Sequence, residues 1–212
     1  MFRPAVLVLA AAFLALGTGC ESSSPSGTAN TTADQAKPAP DEAQTGRAAF
    51  QKLFPSARLW APDAQPFRLQ SGLTSQSRGQ GGQAAVWLAG FASPSKGLIR
   101  TFTWSGSHDK DAPEFGISPS PEDSYSPTNN STAVFDVAYL KIDSEQAYKV
   151  AQEHGGAKIT AKDPKQPVVF LLDWDPVKTR LLWHVLYGTA LSDAKLKIAV
   201  SATTGAFVRV EE

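Results

Sequence analysis

Residues 196–210, "LKIAVSATTGAFVRV", decide the fold. Leu196, Ile198 and Val200 alternate with other residues at a period of two, which turns one row of side chains into a core. Thr204 and Gly205 follow as a turn, with glycine supplying the permissive backbone, and 206–210 read as the returning strand. Working back along the chain, 168–174 and 181–187 are two more strand-like runs, joined by Pro176 and the charged "VKTR". Before them lies a helix. Asp143 stands as its N-cap with Gln146 three residues on, the spacing of a capping box. Ala147, Tyr148, Val150 and Ala151 carry it to His154, and Gly155 is placed to end it. One helix followed by four antiparallel strands is therefore expected, with a further strand-like stretch, "VFDVAYLKI" (134–142), ahead of it.

The first half follows the same order. A helix begins near Ala43 with Ala48, Ala49, Phe50, Leu53 and Phe54 on one face, is expected to break or restart at Pro55, and is closed by Pro62. Strands are expected at 67–73, 84–91 and 98–104, and a long polar loop at 106–132. Trp87 and Phe91, four residues apart, match Trp183 and Tyr187 at the same spacing. The expected fold class is α+β, a helix packed on antiparallel sheet, in two similar halves. The boundaries are 43–132 for the first half and 133–212 for the second.

The second half resembles the PepSY domain, on "SEQAYKVAQEHGG", "LLWHVLYG" and the closing hairpin. The family's hairpin usually reads valine, aspartate, alanine, any residue, threonine, glycine. Val200, Ala202, Thr204 and Gly205 fit, and Ser201 takes the aspartate's place. The resemblance implies a non-catalytic binding or regulatory module of secreted and envelope proteins.

The N-terminus gives the address. Arg3, the apolar run 5–16 and the small residues Gly17, Thr18 and Gly19 form the three parts of a secretory signal, residues 1–19. The run is shorter than the roughly 20 apolar residues a spanning helix needs. Small residues before Cys20 resemble the lipobox of bacterial lipoproteins, in which the cysteine becomes the acylated first residue. The aliphatic residue expected three before the cysteine is replaced by Gly17, with Leu16 one position further back. Glu21 after the cysteine resembles lipoproteins sorted to an outer membrane, where the cell has one. Residues 20–42, rich in Ser, Thr, Ala and Pro, lack the apolar content to offset their ordering entropy and read as a disordered tether. Exported, lipid-anchored residence in a bacterial cell envelope is the expectation, with the membrane as one partner.

Cys20 is the only cysteine, so the chain contains neither an internal disulfide nor a cysteine metal site. Its 20 basic and 20 acidic side chains balance, unlike the basic footprint of a nucleic-acid binder. There is no Gly-x-Ser-x-Gly elbow, and His108, His154 and His184 sit in unrelated contexts. His184 alternates with Trp183, so one of the two is expected to face solvent. "HDKD" (108–111) carries metal-ligand residue types, but a solvated charged turn accounts for them. Asp173 and Asp175 flank Trp174 and share a strand face; calcium or ligand binding and simple turn formation both explain them. Trp87 and Trp183 read as core, and any exposed tryptophan as a ligand contact.

No cofactor and no metal is expected. The function expected is that of a non-enzymatic module binding a protein or peptide partner through a sheet face or an open edge strand. The alternatives are a small-ligand or glycan binder using exposed aromatics, with Trp174, Asp173 and Asp175 as candidate contacts, and a hydrolase whose site lies in the 106–132 loop.

Overall fold

The computed structural model describes residues 41–211, so residues 1–19 and Cys20 lie outside the described residues. In chain order the elements are β1 (Gln44–Thr45), α1 (Gly46–Trp60), β2 (Gln65–Gly72), β3 (Gln83–Ala84), β4 (Val86–Ser93), β5 (Leu98–Ser105) and β6 (Gly116–Ser124). They continue with α2 (Ser144–Ala151), α3 (Ala157–Lys162), β7 (Val169–Asp175), β8 (Arg180–Leu186), β9 (Lys197–Ser201) and β10 (Phe207–Glu211). The fold is α+β. Eight strands form one antiparallel sheet in the order β10-β9-β8-β7-β2-β4-β5-β6, and β1 pairs with β3 in a small second sheet.

In the large sheet the strands that follow α1 (β2, β4, β5 and β6) and those that follow α2 and α3 (β7 to β10) form two contiguous groups, which join where β2 pairs with β7, Leu69 opposite Leu172. The strands bury one row each against the helices: Leu69, Trp87, Phe91, Phe102, Trp104, Phe170, Leu172, Trp183, Val185, Ile198 and Val200 belong to a single core cluster with Phe50 and Leu53 of α1 and Ala147 of α2. Trp87 and Trp183 are fully buried and meet edge to face at the centre, centroids 6.3 Å apart. Their indole N–H groups make matching bonds. Trp87 Nε1 donates to Gln44 O at 3.0 Å and Trp183 Nε1 to Ile142 O at 2.9 Å, in each case the residue just before the helix N-cap.

The two helix N-termini meet there, and Asp143, the N-cap of α2, also serves α1 beside that helix's own N-cap, Thr45. The Asp143 carboxylate, with Gln146 in its capping box, accepts from Ser144 N at 2.7 Å and reaches α1 to accept from Arg47 N at 3.0 Å and Thr45 Oγ1 at 2.8 Å. Ser144 Oγ accepts from Gly46 N at 2.8 Å. With Thr45 Oγ1 accepting from Ala48 N at 3.4 Å, the N-terminal amides otherwise without helix partners are satisfied by one acidic side chain and two hydroxyls.

Several sequence expectations are corrected. Helix α1 runs unbroken through Pro55: the proline and Gln51, whose carbonyl loses its partner, are both exposed, while Ala49, Phe50, Leu53 and Ala57 hold the opposite face. The supposed loop 106–132 contains β6, an edge strand, where a missing N–H can face solvent, so Pro119 and Pro121 are tolerated. Residues 134–142 form no strand. Asp136 caps a short 3₁₀ turn, Val137–Tyr139, and Phe135 and Leu140 plug the core from its side. Gly155 does adopt the expected positive φ of 118°, but the chain continues as a π-helical turn, Gln152–Gly156, and enters α3. In the closing hairpin Gly205 sits at φ 78°, and Ser201 Oγ accepts from Thr203 N and Thr204 N, so a hydroxyl organises the turn where the PepSY pattern has a carboxylate.

Candidate functional site

Strand alternation settles the roles of the three residues singled out on β7. Trp174 points to the helix side, half-buried, its ring 5.3 Å from that of Tyr139. Asp173 and Asp175 point to the opposite sheet face, as the sequence predicts, and there they enter a charged network rather than standing as paired ligands. Among the described residues no group of three His, Cys, Asp or Glu side chains is arranged to hold a metal ion.

At the network's centre is His184 of β8. Its Nε2 lies 3.1 Å from Asp173 Oδ1 and its Nδ1 2.6 Å from Glu211 Oε2. The second contact crosses β9. His184 opposes Ala199, and Ala199 opposes Arg209, so a methyl group at the intervening position leaves room for histidine and glutamate to lean together. Arg209 bonds Glu211 at 2.6 Å and approaches Asp175 at 3.9 Å; Arg180 approaches Asp175 at 3.8 Å, and Arg68 of β2 approaches Asp173 at 3.9 Å.

With an acceptor at each ring nitrogen, the imidazole is held as the doubly protonated cation. Burial of the ring opposes that charge, but the hydrogen bonds and charges of Asp173 and Glu211 outweigh it and raise the pKa from 6.5 to about 9. Burial likewise pushes the Glu211 carboxyl up, and His184 and Arg209 together bring it below its ordinary value. Trp183 is the wholly buried member of the Trp183–His184 pair, and His184 is turned to the other face yet only 13% exposed at its side chain. Sequence reasoning missed this centre. Its signal was the alternation Leu182, His184, Leu186, which places His184 on the face that carries Asp173.

The network ends at a sheet edge. Among the described residues β10 has a strand neighbour on one side only; it contains no proline and carries Val210 at 54% exposure and Phe207 at 37%. The other edge, β6, is interrupted by Pro119 and Pro121.

The remaining candidates disperse. His108 pairs with Asp41 at 2.9 Å and stacks on Phe115, while Asp109 accepts from Gln76 N. His154 stacks on Phe207 at 3.8 Å between centroids. None of the five tryptophans is exposed: Trp87, Trp104 and Trp183 are buried, Trp60 and Trp174 half-buried. A groove between α1 and residues 134–140 consists of two adjoining cavities, of about 330 and about 190 Å³, that share Phe54 and Val137.

No protein-family model and no curated protein matches the chain. A solved structure with a similar fold is described as a "putative lipoprotein" from Clostridium difficile 630: TM-score 0.50, 11% identity, 77% of this chain and 91% of that one covered. At that identity the likeness is one of fold.

Proposed function

We propose that this chain is a non-enzymatic lipoprotein of the bacterial cell envelope, acylated at Cys20, whose α+β domain binds a protein partner by accepting an added strand at β10. The difference between the two sheet edges carries the reading. β6 is blocked to strand addition by prolines, as natural sheets commonly protect their edges, whereas β10 offers a proline-free row of backbone groups beside exposed Val210. Strand addition draws affinity from main-chain hydrogen bonds and specificity from side chains at alternate positions. Here the alternate positions on one face are Arg209 and Glu211, the outer members of the His184 network.

The PepSY-like order of helix, sheet and closing hairpin supports a binding rather than catalytic role, as does the dispersal of the histidines. The signal, the small residues before Cys20 and the tether support the anchor; the lipoprotein description of the structural neighbour agrees with it. A proline at position 210 tests the reading. In cross-linked envelopes the wild-type chain is expected to recover a partner that Val210→Pro does not; equal recovery by both refutes the edge, and recovery of nothing by either refutes the binding role.

A further inference from the structure

We infer that the strand added at β10 is β10 of a second copy of this chain, in the antiparallel register that sets Val210 opposite Val210 of the other copy. The inference rests on the strand-addition reading and names its partner.

Backbone polarity selects the register. Ser201 exchanges bonds with the β10 side, its N–H donating to Ala206 O at 2.9 Å and its C=O accepting from Gly205 N at 2.9 Å. Ala202, one residue on, donates to Leu181 O on the opposite side. Alternation then turns Ala199 and Lys197 toward β10, and their partners Arg209 and Glu211 toward β9. The residue between, Val210, directs its N–H and C=O away from the sheet. A two-fold axis through Val210 lets the two valines exchange both hydrogen bonds, and it sets Arg209 opposite Glu211 of the other copy, twice, at the non-hydrogen-bonded positions where side chains approach most closely. Because Arg209 and Glu211 already bond each other at 2.6 Å within one chain, the four charges alternate in sign around a closed ring. The register that opposes Arg209 to Arg209 fails twice over: like charges face each other, and the backbone groups at that position are already spent on β9.

The other face agrees. Val210 at 54% exposure would lie against its symmetry mate, and Phe207, with the His154 ring stacked on it, lies three residues from the axis, so the two copies of that stack are carried to opposite ends of the joint. The contact is isologous and closes at two copies, since the described residues of each copy present one such edge. It is small, and tethering to one membrane would raise the effective concentration that a small contact needs.

The test uses the chain from residue 20 onward carrying Cys20→Ser, followed by sedimentation velocity over a range of concentration. The mass is expected to move from one copy to two. Val210→Pro removes a donor that faces solvent in the single copy, so folding is retained, checked by circular dichroism, while the dissociation constant rises at least about tenfold. Arg209→Glu, which sets glutamate opposite glutamate, is expected to act in the same direction. In the same background Val210→Cys is expected to form a disulfide-linked dimer on mild oxidation, because a hydrogen-bonded antiparallel pair sits at a Cα separation a disulfide accepts, and Val177→Cys, at 81% exposure, is not. A single copy at every concentration, or a dimer indifferent to Val210→Pro, overturns self-pairing. Recovery of a different protein from envelopes in a Val210-dependent manner also overturns it, while leaving the edge itself as the binding site.

Discussion

Replacing His184 by glutamine should cost stability in a way that vanishes with rising pH. The folded protein holds the imidazolium to about pH 9, whereas the unfolded chain releases the proton near 6.5. A group whose folded pKa is raised contributes its full stabilisation below the unfolded value and loses it as the pH climbs through the folded one. About two and a half pH units at about 1.4 kcal/mol each give a contribution of about 3 kcal/mol at pH 6, declining between pH 6.5 and 9 and absent by pH 10. Glutamine carries no charge and offers one donor group where the imidazolium spans two carboxylates. Among the described residues Asp173 keeps Arg68 at 3.9 Å, while Glu211 keeps Arg209 at 2.6 Å, so the loss should fall at about 2 to 3 kcal/mol near neutrality. Urea denaturation of both proteins from pH 6 to pH 10 measures it. The curves should converge above pH 9. A difference that stays constant across that range, or a wild-type stability that does not fall between pH 7 and 9.5, would refute the reasoning.

Asp143→Ala should remove about 2 to 3 kcal/mol, more than a single lost cap, because the carboxylate serves amides of both helices; denaturant midpoints for this variant and for Thr45→Ala give the comparison. Gly46→Ala should cost about 1 to 3 kcal/mol, since an added Cβ would stand 2.5 Å from the Trp183 ring and 3.1 Å from that of Trp87; near-ultraviolet circular dichroism should change with it. Cys20→Ser should shift the chain from the membrane to the soluble fraction of envelope preparations, a result the acylated-cysteine reading requires.

Much of the fold is legible in the sequence because its strongest signals are local. The period of two around Ile198 and Val200, the capping box at Asp143 and the matched pairs Trp87–Phe91 and Trp183–Tyr187 each report on a stretch of a few residues, and each appears where expected. What is not legible depends on partners distant in the chain. Pro119 and Pro121 read as loop because only the sheet order shows that their strand lies at an edge. Residues 134–142 have strand composition, yet their amides at Lys141 and Ile142 are taken by Ala202 O from the end of β9. Past Gly155 the chain runs on through Gly156, which lies so close to the Tyr187 hydroxyl that a Cβ could not be placed there, a contact between elements some thirty positions apart that the local sequence does not show. At the candidate site, Asp173 and Asp175 were visible as a pair on one face. Their connection to Glu211 was not, since it runs across β9 and depends on the small side chain of Ala199.

The central claim is that β10, and not β6, is the edge that receives a partner. A photoreactive amino acid placed at Val210 in one version of the full chain and at Ile117 of β6 in another, followed by irradiation of intact envelopes, tests it at two positions of similar exposure, 54% and 44%. The account predicts a discrete cross-linked species from position 210 and none from 117. Adducts of equal yield from both positions, or from 117 alone, would contradict it.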